Sequence, residues 1–169
     1  DYFCELAAAE GVTVSHLKAH GALYNTAAQD LHIGALLLEL CRHYQLPLMT
    51  LAHSPLQQQA LQQRIPVIAE AFADRGYQQN GQLLPRSQPG ALLSGTAAIQ
   101  QSLLLVQQQQ LCSHGGELIS LHADSLCLHG DSPEAVTLAQ SLHQALVQQQ
   151  IIIRAKSFGS TPTEAPWTL

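Results

Sequence analysis

Three observations predict an α/β fold built on a parallel sheet. Apolar runs of strand length alternate along the chain with longer segments of helical spacing. Four of those runs end on a residue able to do chemistry: His20, His53, Asp74 and His129. Parallel α/β folds gather their active sites at the C-terminal ends of strands, so this regularity also points to an enzyme. Helix-start signals then follow two of the runs, Ser54-Pro55 and Ser132-Pro133. The periodicity does not separate an open, doubly wound sheet from a closed barrel, because strands buried on both faces read alike in either.

The elements justify themselves in order. Residues 1–10 read as a helix stopped by Gly11. Residues 12–20 carry Val12, Val14 and Leu17 into a polar patch and are predicted as the first strand. Asn25 or Thr26 is expected to cap a helix over 26–45, with Ile33, Leu36, Leu37 and Leu40 on its apolar side. Residues 46–53 (LPLMTLAH) form a second strand; Ser54 caps and Pro55 opens a helix to about Gln63. Residues 66–73 (PVIAEAFA) are a third strand, and 76–91 a long loop rich in Gly, Pro, Asn and Gln, a kind that is often functional. Spacing predicts a helix over 96–111 and one or two short strands within 118–128. A helix from Pro133 to about Gln150 and a strand start at 151–153 complete the pattern. Residues 1–160 are read as a single domain and 161–169 as a tail.

Composition narrows the function classes. A length of 169 residues suits one domain, and no apolar run is long enough to cross a bilayer. A net charge of −5 with seven lysines and arginines lacks the basic stripe that nucleic-acid binding needs. The four cysteines, Cys4, Cys41, Cys112 and Cys127, are scattered without a C-x-x-C and read as buried thiols of a cytoplasmic protein. The glutamine runs at 57–59, 107–110 and 148–150 are bordered by leucines and read as solvated helix faces.

The candidate site residues come from three stretches. In HLKAHGALYN (16–25), Lys18 and His20 are two apart, so on a strand they point to one face and suit an anion. The same stretch also fits a surfacing strand with solvated polar groups. In HGDSP (129–133), a histidine and a carboxylate stand at a turn beside the free amides of a helix start, which suits acid–base work. The alternative is that Asp131 caps the turn and His129 fills space. Asp74 and Arg75 are adjacent and face opposite ways, so one is expected at the site mouth and the other on the loop. Arg86 lies in that loop between two prolines, as LLPRSQPG, and could grip a carboxylate or phosphate or simply be solvated. His20, His53, His122, His129, Asp74 and Asp131 could converge, but no H-x-x-x-H or H-E-x-x-H is present and no metal is assigned.

HLKAHGALYN closely resembles the VKPHGALYN signature of the LamB/YcsF family, whose members act as the A component of bacterial ATP-dependent 5-oxoprolinase. EAFADRGYQQNGQLLPRSQPGALL (70–93) and SLCLHGDSPEAV (125–136) agree with the same family. The resemblance covers nearly the whole chain, but the Asp/Asn/Cys-rich first strand and the Gly-Phe-His segment of such proteins have no counterpart. The chain is therefore read as the C-terminal two thirds of a member, incomplete at the N-terminus. The resemblance implies an irregular parallel (β/α) barrel of the glycoside hydrolase/deacetylase type, and ATP-dependent opening of 5-oxo-L-proline to L-glutamate beside B and C subunits. It makes His20, His129 and Asp131 candidates for proton transfer, with Asp131 orienting His129. Lys18 and Arg86 become candidates for holding phosphate or carboxylate. Asn25, Asp74 and Arg75 become candidates for placing substrate or Mg-ATP. No Walker-type phosphate loop appears, so nucleotide would be held by another arrangement or by a partner protein. Competing readings are a metal-dependent, deacetylase-like hydrolase and a non-catalytic scaffold. Open sheet edges on such a fragment would favour homo-oligomers and could leave it inactive alone.

Overall fold

A computed structural model describes residues 2–156. Four strands, β1 (Leu17–Lys18), β2 (Leu48–Leu51), β3 (Val67–Phe72) and β6 (Ser125–Cys127), form one sheet in that order, parallel throughout. Among the described residues β1 and β6 are its edges. Helices α2 (Gly21–Gln29), α3 (Leu31–Tyr44), α4 (Pro55–Gln62) and α5 (Gly95–Gln108) occupy the connections, while α1 (Tyr2–Ala9) precedes β1 and α6 (Ala135–Gln148) follows β6. A small antiparallel pair, β4 (Gln110–Cys112) with β5 (Leu118–Ser120), follows α5. The predicted α/β class with a parallel sheet is thus the observed one.

The helix ends show how local chemistry sets the boundaries. Gly11, at φ 67°, closes α1: its amide donates to Ala8 O and the Val12 amide reaches back to Ala7 O. That double return needs a left-handed residue, which glycine adopts without a Cβ clash. The single helix expected over 26–45 is two helices. The Asp30 carboxylate accepts from the amides of His32 at 2.8 Å and Ile33 at 3.1 Å, restarting the chain as α3. Asn25, expected as a cap, sits inside α2, which begins at Gly21. The buried side of α3 is Gly34, Leu37, Leu38 and Cys41, while Leu36 and Leu40 are exposed. Gly34 permits that packing, since a Cβ there would come within 2.9 Å of Leu56. Ser54 caps α4 by accepting from the Gln57 amide at 3.1 Å, with Pro55 in the first turn as expected.

Other boundaries shift for reasons of pairing. The first strand shrinks from 12–20 to Leu17–Lys18, the two residues that align with β2 at Leu48 and Met49. α5 stops at Gln108 because Gln109 turns left-handed at φ 55°, which releases Leu111 into β4. α6 starts at Ala135, after a turn in which the Ser132 carbonyl accepts from the Ala135 amide. Residues 151–153 form no strand, and Ile152 and Ile153 are exposed. The predicted tail, 161–169, lies outside the described residues. Of the four thiols expected to be buried, Cys41 is; Cys4 and Cys127 are half-buried and Cys112 is exposed. No described helix is long and apolar enough to cross a membrane.

β3 is the sheet's central anchor, with all six residues buried between β2 and β6. Its registers place Lys18, Met49 and Ile68 in one row and Glu70 opposite Ser125; Phe72 aligns with Cys127. With a side-chain period of two, Lys18, Glu70, Phe72 and Cys127 therefore share one face of the sheet. Leu48, Thr50, Val67, Ala69 and Ala71 take the other face and are all buried.

Candidate functional site

At the C-terminal ends of β1, β3 and β6 lies a cleft of about 480 Å³. Its walls include Lys18 and His20 on and after β1, Tyr24 and Asn25 on α2, Phe72 and Arg75 around the end of β3, and Cys127 and His129 on and after β6. Arg86 reaches in from the 76–91 loop and Asp131 from the turn after β6. Cavities of this size suit small organic ligands.

His129 is the most firmly placed group able to move a proton. Its ring Nδ1 lies 2.9 Å from both Asp74 carboxylate oxygens, and its backbone amide donates to Asp74 Oδ2 at 3.1 Å. The ring stacks on Phe72, 5.3 Å between centroids with 12° between planes. Two hydrogen bonds and a stacked aromatic fix its rotation. Nδ1 is engaged by the carboxylate, so Nε2 is the nitrogen left for a ligand. Asp74 is held in turn by its strand: Gln101 of α5 donates through Nε2 to Phe72 O, Ala73 O and Arg75 O around it. The partner expected for His129 was Asp131. The structure puts Asp74 there instead, because the strand end and not the turn faces the ring.

Asp131 pairs with Arg86, 2.9 Å from Nη1 to Oδ2, across the cleft mouth. The hydrogen bond from Arg86 holds the Asp131 carboxyl below the usual carboxylate range. Both side chains are about half exposed, so this is a link that a competing anion can open. Arg75 is the loop anchor. Buried at 5 % exposure, it donates through Nε to Ala91 O at 3.1 Å and through Nη2 to Leu84 O at 2.6 Å. Burial pushes its guanidinium down from its ordinary value. The loop it ties is also closed at Gly76, where a Cβ would stand 2.1 Å from Gly90 O. Tyr77, fully buried, accepts from the Phe72 amide at 2.8 Å and fastens the loop to β3.

Lys18 stands at the cleft floor, its Nζ 2.5 Å from Glu70 Oε1 and 5.7 Å from the centre of the Tyr24 ring. His20 is the residue before α2 and makes no side-chain cap there. Asn25 donates to Gly21 O at 3.4 Å, inside the helix. The structure thus brings Lys18, His20, Asn25, Arg75, Arg86, His129 and Asp131 to one cleft, with Asp74 behind His129. His53, expected at the same mouth, turns to His122 instead: the rings are 6.0 Å apart and the His122 amide donates to His53 Nε2. Burial, then the neighbouring His122, pushes His53 down, which keeps it the neutral acceptor this bond needs. Sequence reasoning missed Glu70, Tyr24 and Cys127. Glu70 had a visible signal, a lone charge inside the apolar run PVIAEAFA.

Among the described residues no three His, Cys, Asp or Glu side chains converge as a metal site. The charged and imidazole groups lining the cleft are His20, His129, the Asp131 carboxylate and the cations Lys18, Arg75 and Arg86.

Comparison with known proteins agrees with the fold. The LamB/YcsF family model matches residues 1–160. The chain is 42% identical over 143 residues to a protein of Limosilactobacillus fermentum named as the A component of 5-oxoprolinase, covering 83% of this chain and 57% of that one. It is 41% identical over 152 residues to the protein of the same name from Tolumonas auensis, covering 88% and 61%. The crystal structure of a lactam utilization protein from Thermus thermophilus superposes with a TM-score of 0.84 at 31% identity, over 90% of this chain and 62% of that one. The chain therefore spans about three fifths of the length of the curated relatives it matches.

Proposed function

The chain belongs to the LamB/YcsF family, and from that premise we propose that it carries the reaction cleft of the A component of a 5-oxoprolinase. In this reading the assembled enzyme, with its B and C subunits, opens 5-oxo-L-proline to L-glutamate with ATP. The observation that carries the proposal is the Asp74–His129 pair: a histidine fixed at Nδ1, with Nε2 left for a ligand in a cleft that also holds Lys18 and Arg86.

A lactam is a poor electrophile, so activation by phosphate transfer from ATP to the amide oxygen is chemically sensible. Water then adds to the ring carbon and gives up a proton, which His129 Nε2 is placed to take. The ring carbon–nitrogen bond breaks as the nitrogen gains a proton, leaving an acyl phosphate. A second water releases phosphate and completes the glutamate carboxylate. Asp74 supports the charged imidazole without itself touching substrate. Lys18 and Arg86 offset the negative charge of the substrate carboxylate and of the activated oxygen. Arg86 first has to exchange Asp131 for the incoming anion, and the exposure of that pair keeps the exchange inexpensive. In this reading His20 and Asn25, which line the cleft, contact the ring, and Arg75 shapes the wall without leaving its carbonyl partners. Magnesium enters with the nucleotide, as part of the substrate.

The test is glutamate release from 5-oxoproline by the full-length parent assembled with its B and C partners. Release is expected only with ATP and is expected to fall at least a hundredfold in His129→Gln. Release that persists without ATP, or at wild-type rate in His129→Gln, contradicts the proposal.

A further inference from the structure

The central strand hides a charge that the scheme above does not use. Glu70, 2 % exposed, is the fourth residue of a strand whose other five positions are apolar and buried. Its Oε1 takes Lys18 Nζ. Among the described residues its Oε2 meets no hydrogen-bond partner, and neither does the buried hydroxyl of Tyr24. Lys18, Tyr24 and Cys127 line the cleft, and Glu70 lies behind them on the same sheet face.

Such a pair is a poor device for stability, because both ions lose solvation and an apolar pair of similar volume packs as well. Its effect is on the ammonium. The titratable groups facing Lys18 come from every neighbouring element: His16 before β1, Tyr24 of α2, Glu70 of β3 and Cys127 of β6. Burial, then Lys18 itself, pushes His16 down, so it is neutral at neutral pH. Burial, then Glu70, pushes the Tyr24 phenol up and the Cys127 thiol up to about 11. Among these four neighbours, Glu70 is the one charge balancing Lys18. An ammonium has three donors; Glu70 takes one and Cys127 Sγ, at 3.9 Å, is at best a weak second. The remainder is available to the cleft.

We propose that Glu70 is a positioning residue that holds Lys18 aimed at the cleft floor, where the ammonium receives the carboxylate of the lactam acid. The inference rests on the function proposed above and adds which anion Lys18 takes and what holds it ready. In the assembled enzyme, Glu70→Gln raises KM for 5-oxoproline at least tenfold, changes kcat less than threefold and leaves KM for ATP unchanged. Adding Lys18→Arg recovers part of KM, since the planar guanidinium is pre-organised to grip a carboxylate and needs less to hold it in place. An unchanged KM for 5-oxoproline, or a raised KM for ATP alone, overturns the inference.

A second measurement needs neither turnover nor a variant. The Lys18 side-chain carbon resonance of the full-length protein is followed by NMR as 5-oxoproline is added. Movement is expected, and its absence overturns the inference. A wild-type complex that releases no glutamate while this resonance does move refutes the proposed reaction and leaves the binding role of Lys18 standing.

Discussion

Replacing Arg75 with methionine separates two roles for this side chain, gripping substrate and tying the loop. The guanidinium donates to Ala91 O and Leu84 O, and both acceptor residues are buried. The two losses are not equal. Ala91 O also accepts from the Gly76 amide at 3.0 Å and stays satisfied, whereas among the described residues no other donor reaches Leu84 O. Arg75→Met therefore orphans one buried carbonyl, at about 1–3 kcal/mol, and forfeits charge-assisted bonds of about 1.5–3 kcal/mol each. Against this, the variant no longer desolvates a guanidinium, the same penalty that pushes Arg75 down. A net loss of about 2–3 kcal/mol follows, or ~4–12 °C in melting temperature for a chain of this size. Urea unfolding of wild type and variant measures it, and limited proteolysis within 76–91 reports whether the loop has come loose. A variant within about 0.5 kcal/mol of wild type, with an equally resistant loop, would refute the anchoring role.

Further outcomes follow from the same geometry. Tyr77→Phe leaves the buried Phe72 amide without its acceptor and is expected to cost about 1–3 kcal/mol in urea unfolding. Asp30 and Asp131 are both held below their ordinary value of 3.8, the first by the amides of Ile33 and His32, the second by Arg86. A carboxyl depressed by folding lends stability above its unfolded value and withdraws it as pH falls through the folded one. The urea midpoint should therefore drop below about pH 3.8, and drop less steeply in a double variant with asparagine at both positions.

Much of the site was legible because strand ends are. Lys18, His20, Asp74 and His129 stand where apolar runs surface, and folding a parallel sheet carries such ends to one edge. The 76–91 loop was legible too, since its Gly, Pro and Asn content admits no regular element. Pairing was not. Val12 and Val14 look like strand residues, but only Leu17 and Lys18 align with β2, and sequence does not reveal where a neighbour begins. The His-Gly-Asp motif and the resemblance point to Asp131 as the partner of His129, and the fold supplies another. Asp131 is two residues away and Asp74 is fifty-five, yet the parallel register sets the Asp74 end of β3 beside the His129 end of β6. Asp30 was readable as a cap, an aspartate immediately before a leucine-rich run, but the continuous helical spacing around it hid the break. Glu70 was passed over because apolar flanks made the whole run look like core. It is core, and the exception within it lies beneath the cleft.

Whether Asp74, and not Asp131, serves His129 decides the proposed chemistry most directly. Glutamate release by the full-length protein with its B and C partners and ATP is measured for Asp74→Asn and Asp131→Asn side by side. The geometry predicts a loss of at least a hundredfold for Asp74→Asn, which misdirects the imidazole. It predicts less than tenfold for Asp131→Asn, which only unfastens Arg86. The reverse order, or equal losses, would contradict it.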